Sequence, residues 1–205
     1  MSTISTTTTD PTGTRSARWA RIACAASAAG AVVPFALLQL TGDTGEEITA
    51  GLLTDRTALI IGTYVATLVG AGLFAAAIYL GRRVPGVVGT VMAAAGSAVA
   101  LMFAGYYAVF GAGAVIVSEA SGPGLGEATW LSLNVMEITR YAPGLALVAA
   151  AIAAGAHLPR AVRVTAGILL FLTVVPLTSW VAALLIPLWL GVSAAVTIPR
   201  SPVRP

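Results

Sequence analysis

Glu137 and Arg140 stand three residues apart in NVMEITRYAPG (134–144), directly before LALVAAAIAAGA, a run without a polar side chain. On a helix that spacing places a carboxylate and a guanidinium on one face, close enough to pair. At the edge of an apolar medium such a pair fixes how deep the helix sits, with the arginine reaching back toward water. Further inside, it must face protein groups or water, and it then becomes the charged element of a binding pocket. Asn134, Tyr64, Tyr106 and Tyr107 carry the polar tips and aromatic faces that could complete such a pocket, with Trp180 near the same level. Trp130 suits an anchor at a boundary between apolar and aqueous phases.

Other chemistry finds little support. The chain has one histidine, His157, and one cysteine, Cys24. A haem held by two histidines, an intramolecular disulfide and a structural zinc site all lack their ligands. No HExxH helix is present, and no Ser with a neighbouring His or paired aspartates. GAGA (111–114) and SGPGLG (121–126) are rich in glycine but lack the lysine and the strand-to-helix setting of a phosphate-binding loop. The expectation is a protein that is not an enzyme and needs no cofactor or metal.

The elements that must position Glu137 and Arg140 follow from composition. The 205 residues are 58% hydrophobic and 9% charged, with mean hydropathy +0.92. Soluble domains carry about 25% charged residues. Apolar runs recur that are long enough to cross the ~30 Å hydrocarbon core of a bilayer as helices. The class is therefore all-α, a polytopic membrane protein. The basic pI of 9.5 then indicates no nucleic acid.

Six helices are expected, over about residues 20–40, 57–81, 86–114, 139–158, 162–177 and 180–198. A Thr-rich tail, 1–16, is expected to be disordered, and a short tail follows from 200 to 205. The first run has the charged start and apolar middle of a signal peptide but no small-x-small cleavage pattern, so it reads as a retained helix. The stretch 164–198 is too long for one crossing and should turn near Pro176 to Ser179. Six crossings gather Arg15, Arg18, Arg21, Arg82, Arg83, Arg160, Arg163, Arg200 and Arg204 on one side. The other side holds Asp43, Glu46, Glu47, Asp55, Glu119, Glu127 and Glu137, with Arg56 and Arg140. Arginine enrichment marks the cytoplasmic side, so both termini are expected inside. Gly62, Ala66 and Gly70, and Gly96, Ala100 and Ala104, form small-residue stripes that suit close helix packing. Pro34, Pro143, Pro176 and Pro187 are candidate kinks.

The stretches GTYVATLVGAGLFAAAIYLGRR (62–83), HLPRAVRVTAGILL (157–170) and IPLWLGVSAAVTI (186–198) resemble a broad group of small six-helix membrane proteins from GC-rich bacteria, catalogued as a domain of unknown function. The resemblance covers about a quarter of the chain. It implies the six-helix count and no particular activity. The expected location is the bacterial plasma (inner) membrane, with the lipid bilayer as first partner and a second membrane protein or another copy as further ones. The leading functional expectation is an accessory or regulatory protein acting through protein or lipid contacts. The alternative is a small-solute or lipid-binding transporter with an outward-facing pocket near Glu137 and Arg140.

Overall fold

The computed structural model describes residues 11–37, 44–175 and 177–198, and every regular element among them is helical. In chain order these are α1 (Pro11–Gly30), α2 (Val32–Leu37), α3 (Gly45–Thr54), α4 (Arg56–Arg83), α5 (Gly86–Ile116), α6 (Pro123–Thr139), α7 (Tyr141–Ala153), a 3-10 turn (Gly155–His157), α8 (Arg160–Val174) and α9 (Ser179–Thr197).

The frame is the antiparallel pair α4 and α5. Lipid is as apolar as leucine, so helices associate in it by close packing rather than by escape from water. The two small-residue stripes meet each other here. A Cβ on Gly70 would come within 2.8 Å of Ala104 Cβ, and one on Gly96 within 2.7 Å of Ala77 Cβ. Near the connection, Gly89 packs against the Val84 carbonyl and Gly81 against the Gly89 carbonyl. The connection itself uses Gly86 at φ +70, in the left-handed region that glycine enters without steric cost.

Around this pair lie two cores. The larger draws Leu73, Leu80, Met92, Leu147, Val148 and Leu190 from α4, α5, α7 and α9, with α1 and α8 contributing Cys24 and Ala166. The smaller gathers Ile48, Leu52, Leu59, Tyr107, Phe110 and Val117, with α6 residues Leu125 and Leu133 packed on it. The second core exists because the pair is long: 28 and 31 residues give about 42 and 46 Å. That exceeds a ~30 Å hydrocarbon core, and α3 and α6 cover the excess. We call this the acidic end, since Glu46, Glu47, Asp55, Glu119 and Glu127 lie on its helices and turns.

At the opposite, arginine end, Arg21 donates to the Ile198 carbonyl. Arg83 donates to the Tyr79 hydroxyl, which itself donates to the Thr197 carbonyl. Between the ends, the buried Trp189 of α9 donates its indole N–H to the Thr165 hydroxyl of α8, giving the ring's polar edge a partner inside an apolar bundle.

Among the described residues four helical segments are long and apolar enough to cross a membrane: Arg56–Arg83, Gly86–Ile116, Pro123–Ala153 and Ser179–Thr197. The expected helices 57–81, 86–114 and 180–198 sit within a few residues of α4, α5 and α9. Elsewhere the boundaries need correction. The first helix starts at Pro11, inside the tail expected to be disordered to residue 16, and breaks at Ala31; Met1–Asp10 lie outside the described residues, as do Gln39 and Leu40. The helix expected from 139 begins at Pro123 instead. The stretch before 139 is helical too, its polar residues standing beside an apolar face that packs on the smaller core. The acidic loop after the first run contains α3, started by a capping box in which Thr44 and Glu47 bond each other's backbone N–H groups. The helix expected over 162–177 is α8, which is 15 residues long. Of the turn expected near Pro176 to Ser179, Pro176 lies outside the described residues, and α9 starts at Ser179. Pro34 and Pro143 occupy the third positions of α2 and α7, each just past the break that separates its helix from the one before. Pro187 lies inside α9.

Gly89→Ala should destabilise the protein by about 1–3 kcal/mol, because the new methyl meets backbone that cannot rotate away. Gly124→Ala, with nothing within 4 Å of its Cβ position, should be neutral or slightly stabilising, as alanine favours a helix by up to ~1 kcal/mol over glycine. Thermal unfolding in one detergent compares the two; equal stabilities would show that the α4–α5 approach is not the limiting contact.

Candidate functional site

Arg140 sits at the joint between α6 and α7. The backbone stays helical there, with Arg140 N–H bonded to the Met136 carbonyl and Gly144 N–H to that of Arg140. Pro143 has no N–H to offer the Thr139 carbonyl four residues back, and the ladder is interrupted at that step. The interruption turns one 31-residue helical stretch, Pro123–Ala153, into two arms with Arg140 between them.

The guanidinium is held on two sides. Its Nη2 donates to Glu137 Oε1 at 2.9 Å, and its Cζ lies 5.3 Å from the centre of the Tyr106 ring. The Arg140 side chain is 19% exposed and that of Glu137 35%. A cation over an aromatic face gains up to about 2 kcal/mol when desolvated. Tyr106 is itself fixed by edge-on contacts to Tyr107 (5.4 Å) and Phe110 (5.5 Å), and Phe103 meets Tyr107 at 5.1 Å. Positions 103, 106, 107 and 110 share one face of α5, so the arginine rests on an aromatic ledge. Thr63 of α4 supports the same level, its hydroxyl lying 2.8 Å from the Tyr107 carbonyl.

Cavities open on both sides of this pair. Toward α9, a groove of about 200 Å³ is lined by Arg140, Tyr106, Tyr107 and Phe103 at one end and by Val32, Leu185 and Leu188 along its length. A smaller hollow of about 30 Å³, bounded by Tyr141 and Gly144, shares Arg140, Phe103, Ala183 and Pro187 with it. Toward α3, a cavity of about 220 Å³ is lined by Glu137, Asn134, Tyr106 and Trp130. It shares Ile48 and Trp130 with a cleft of about 470 Å³ that Glu127 and Thr44 border at the acidic end. Tyr106 and the ion pair thus form a partition, with the carboxylate on the acidic side and the guanidinium on the apolar side.

Of the residues singled out from sequence, Glu137, Arg140, Asn134, Tyr106 and Tyr107 lie together at this partition. Asn134 Nδ2 donates to the Trp130 carbonyl of its own helix. Tyr64 does not join them: it is 70% exposed on α4 and lines none of these cavities. Trp180 is likewise exposed. His157 is exposed beyond α7, and Cys24 is buried. Among the described residues no three of His, Cys, Asp or Glu come together closely enough to hold a metal ion. Sequence reasoning passed over Phe103 and Phe110, although their spacing with Tyr106 and Tyr107 marks a single helix face. It also read Trp130 only as an anchor, whereas Trp130 borders both cavities of the acidic side.

The acidic-side cavities depend on α3 staying against α6. Gly126 packs on the Gly45 carbonyl, and its N–H donates to the Thr49 hydroxyl at 3.1 Å while that hydroxyl donates to the Gly45 carbonyl at 2.8 Å. Thr49 thereby satisfies a donor in the first turn of α6, as a cap would.

No protein-family model, curated protein or solved structure matches the chain. What fold and site define is an all-helical protein that has, among the described residues, four helices apt to cross a membrane and a partly buried ion pair between a polar and an apolar cavity.

Tyr106→Phe keeps the ring beneath Arg140 and should leave stability unchanged, whereas Tyr106→Leu should cost about 1–2 kcal/mol through loss of the cation–π contact. Chemical or thermal unfolding of the two variants decides this. Thr49→Val should cost a similar ~1 kcal/mol and raise the access of a quencher to Trp130, with Thr49→Ser restoring both; unchanged quenching would mean α3 is held by other contacts.

Proposed function

We propose that the protein is a six-crossing inner-membrane protein with both ends cytoplasmic, acting as an accessory component through contacts with lipid. The observation that carries the lipid reading is the groove beside Arg140. Its walls are apolar apart from one guanidinium and two tyrosines, and Val32 and Leu185 on its rim are exposed on the apolar perimeter. A groove of that make suits a hydrocarbon chain with a polar end, as ligand sites in general pair apolar walls with few polar groups.

Six crossings follow if α1 with α2, and α8, are counted beside the four longer segments. Both pack into the larger core as full members, α1 against α9 and α4, and α8 between α7 and α9. Arg21, Arg83 and the end of α9 meet through the bonds described, and α7 runs antiparallel to α5, which carries Arg160 and Arg163 to that same end. Arginine on one side marks that side as cytoplasmic.

A second reading is favoured by the cavities of the acidic side, which bring Glu137 and Asn134 within reach of an outward cleft. Under it the protein is a transporter of a small solute or lipid, and the partition at Tyr106 is its closed gate. Alternating access distinguishes the two, since a transporter exposes its site to each side in turn.

Both topology and gating are read by a membrane-impermeant thiol reagent on single-cysteine variants built on Cys24→Ser. Glu119→Cys should label in intact cells and His157→Cys only after lysis; labelling of His157→Cys from outside would overturn the orientation. Glu137→Cys should label from outside alone under the accessory reading. Labelling from both faces of the membrane would replace it with the transporter.

A further inference from the structure

We propose that the groove beside Arg140 is a site for an anionic phospholipid of the outer leaflet, with its phosphate on the Arg140 guanidinium and one acyl chain along α9. The proposal rests on the lipid reading above and names the lipid class.

Among the described residues Arg140 is the only charged side chain lining either part of the groove. Its Nη2 donates to Glu137 and its Cζ lies over the Tyr106 ring; Nε and Nη1 bond no described residue, and of these two Nε is buried, which leaves Nη1 as the donor open to a ligand. A guanidinium carries five N–H donors in a fixed fork that matches phosphate oxygens, and an unmet charged donor favours an anionic oxygen above a neutral one. Glu137 lines the cavity on the acidic side and does not line the groove. The carboxylate therefore holds the arginine from behind without occupying the place of the phosphate.

The height of the site agrees. Tyr106 lies 20 residues above Gly86, the first residue of α5 at the arginine end, a rise of about 30 Å. That equals the ~30 Å hydrocarbon thickness, so the stacked guanidinium stands where outer-leaflet phosphates meet hydrocarbon. Leu188 lies nine residues, about 13 Å, from Thr197 at the arginine end of α9. The groove thus descends from headgroup level through the outer half to about the middle of the ~30 Å core. Its rim at Val32 and Leu185 is exposed on the perimeter, which gives a chain entry from the side.

The test uses the full chain in nanodiscs holding equal phosphatidylglycerol and phosphatidylcholine with identical acyl chains, released into detergent and read by native mass spectrometry. Arginines at the other end also attract anionic lipid, so the readout is the difference between the protein and its variants. The wild type should keep one phosphatidylglycerol at least tenfold in preference to phosphatidylcholine, as loss of a charge-assisted hydrogen bond implies. Arg140→Gln should abolish that preference for the last-retained lipid. Glu137→Gln should strengthen it by removing the negative charge that partly offsets the guanidinium, and Leu184→Trp, which fills the groove and spares the guanidinium, should remove the retained lipid. If Arg140→Gln fails to fold, the opposed effects of Glu137→Gln and Leu184→Trp carry the test alone. Millimolar inorganic phosphate should not displace the lipid; displacement would point to a free-phosphate site and overturn the proposal. Equal retention of both lipids, unaltered by these variants, would overturn the anionic site and leave the lipid reading standing. Loss of every lipid from the wild type on release would overturn both.

Discussion

The structure depends on how closely α4 and α5 can approach. Hydrocarbon offers helices no solvent to flee, so what holds them together is dispersion between surfaces without gaps, and that requires backbones near contact. Gly70, Gly81, Gly89 and Gly96 supply those contacts from one end of the pair to the other. The remaining helices are placed against a rigid double rod. α1 uses the same device, with Gly72 facing Ser27 and Gly191 facing the Cys24 carbonyl. Without the rod, neither the larger core nor the aromatic ledge on α5 would have a fixed surface to form on.

That ledge is how the scaffold bears on the site. Phe103, Tyr106, Tyr107 and Phe110 occupy the stretch where α5 leaves the larger core and enters the smaller one. Arg140 comes to rest on it because Pro143 interrupts the ladder of α6–α7 at the same level. A charged group in an apolar setting is expensive unless paired and supported, and here carboxylate, ring face and partial exposure share that cost. The same arrangement separates two cavities of opposite character, which a shallow surface pair would not do.

Much of this was legible in the residues. Long uncharged runs announced α4, α5 and α9 within a few positions, and the Glu137–Arg140 spacing announced the pair. Less legible were the helices of the acidic end. α3 is short and charged in its first turn, and its only strong signal was the TGEE sequence that forms the capping box. α6 carries Glu127, Ser132, Asn134 and Glu137 beside an apolar face, so no unbroken apolar run marks it. Tyr64 was misplaced for another reason. Its depth along α4 matched the site, but depth says nothing about which way around the helix a side chain points, and the small-residue face Gly62, Ala66 and Gly70 points the other way. Reading the stripe and the tyrosine together would have excluded it.

The surplus length of α4 and α5 over the hydrocarbon has one more implication. A helix that matches its bilayer resists any change in membrane thickness, whereas one that outreaches it can slide or tilt at a cost of only fractions of a kcal/mol per Å. The exposed flank of α6, with Trp130, Leu131, Val135 and Ile138, is tolerable in headgroups and welcome in hydrocarbon. Thickening the membrane would therefore submerge that flank, and thinning it would leave the flank among the headgroups. The acidic end rides at the waterline of whatever membrane it is given.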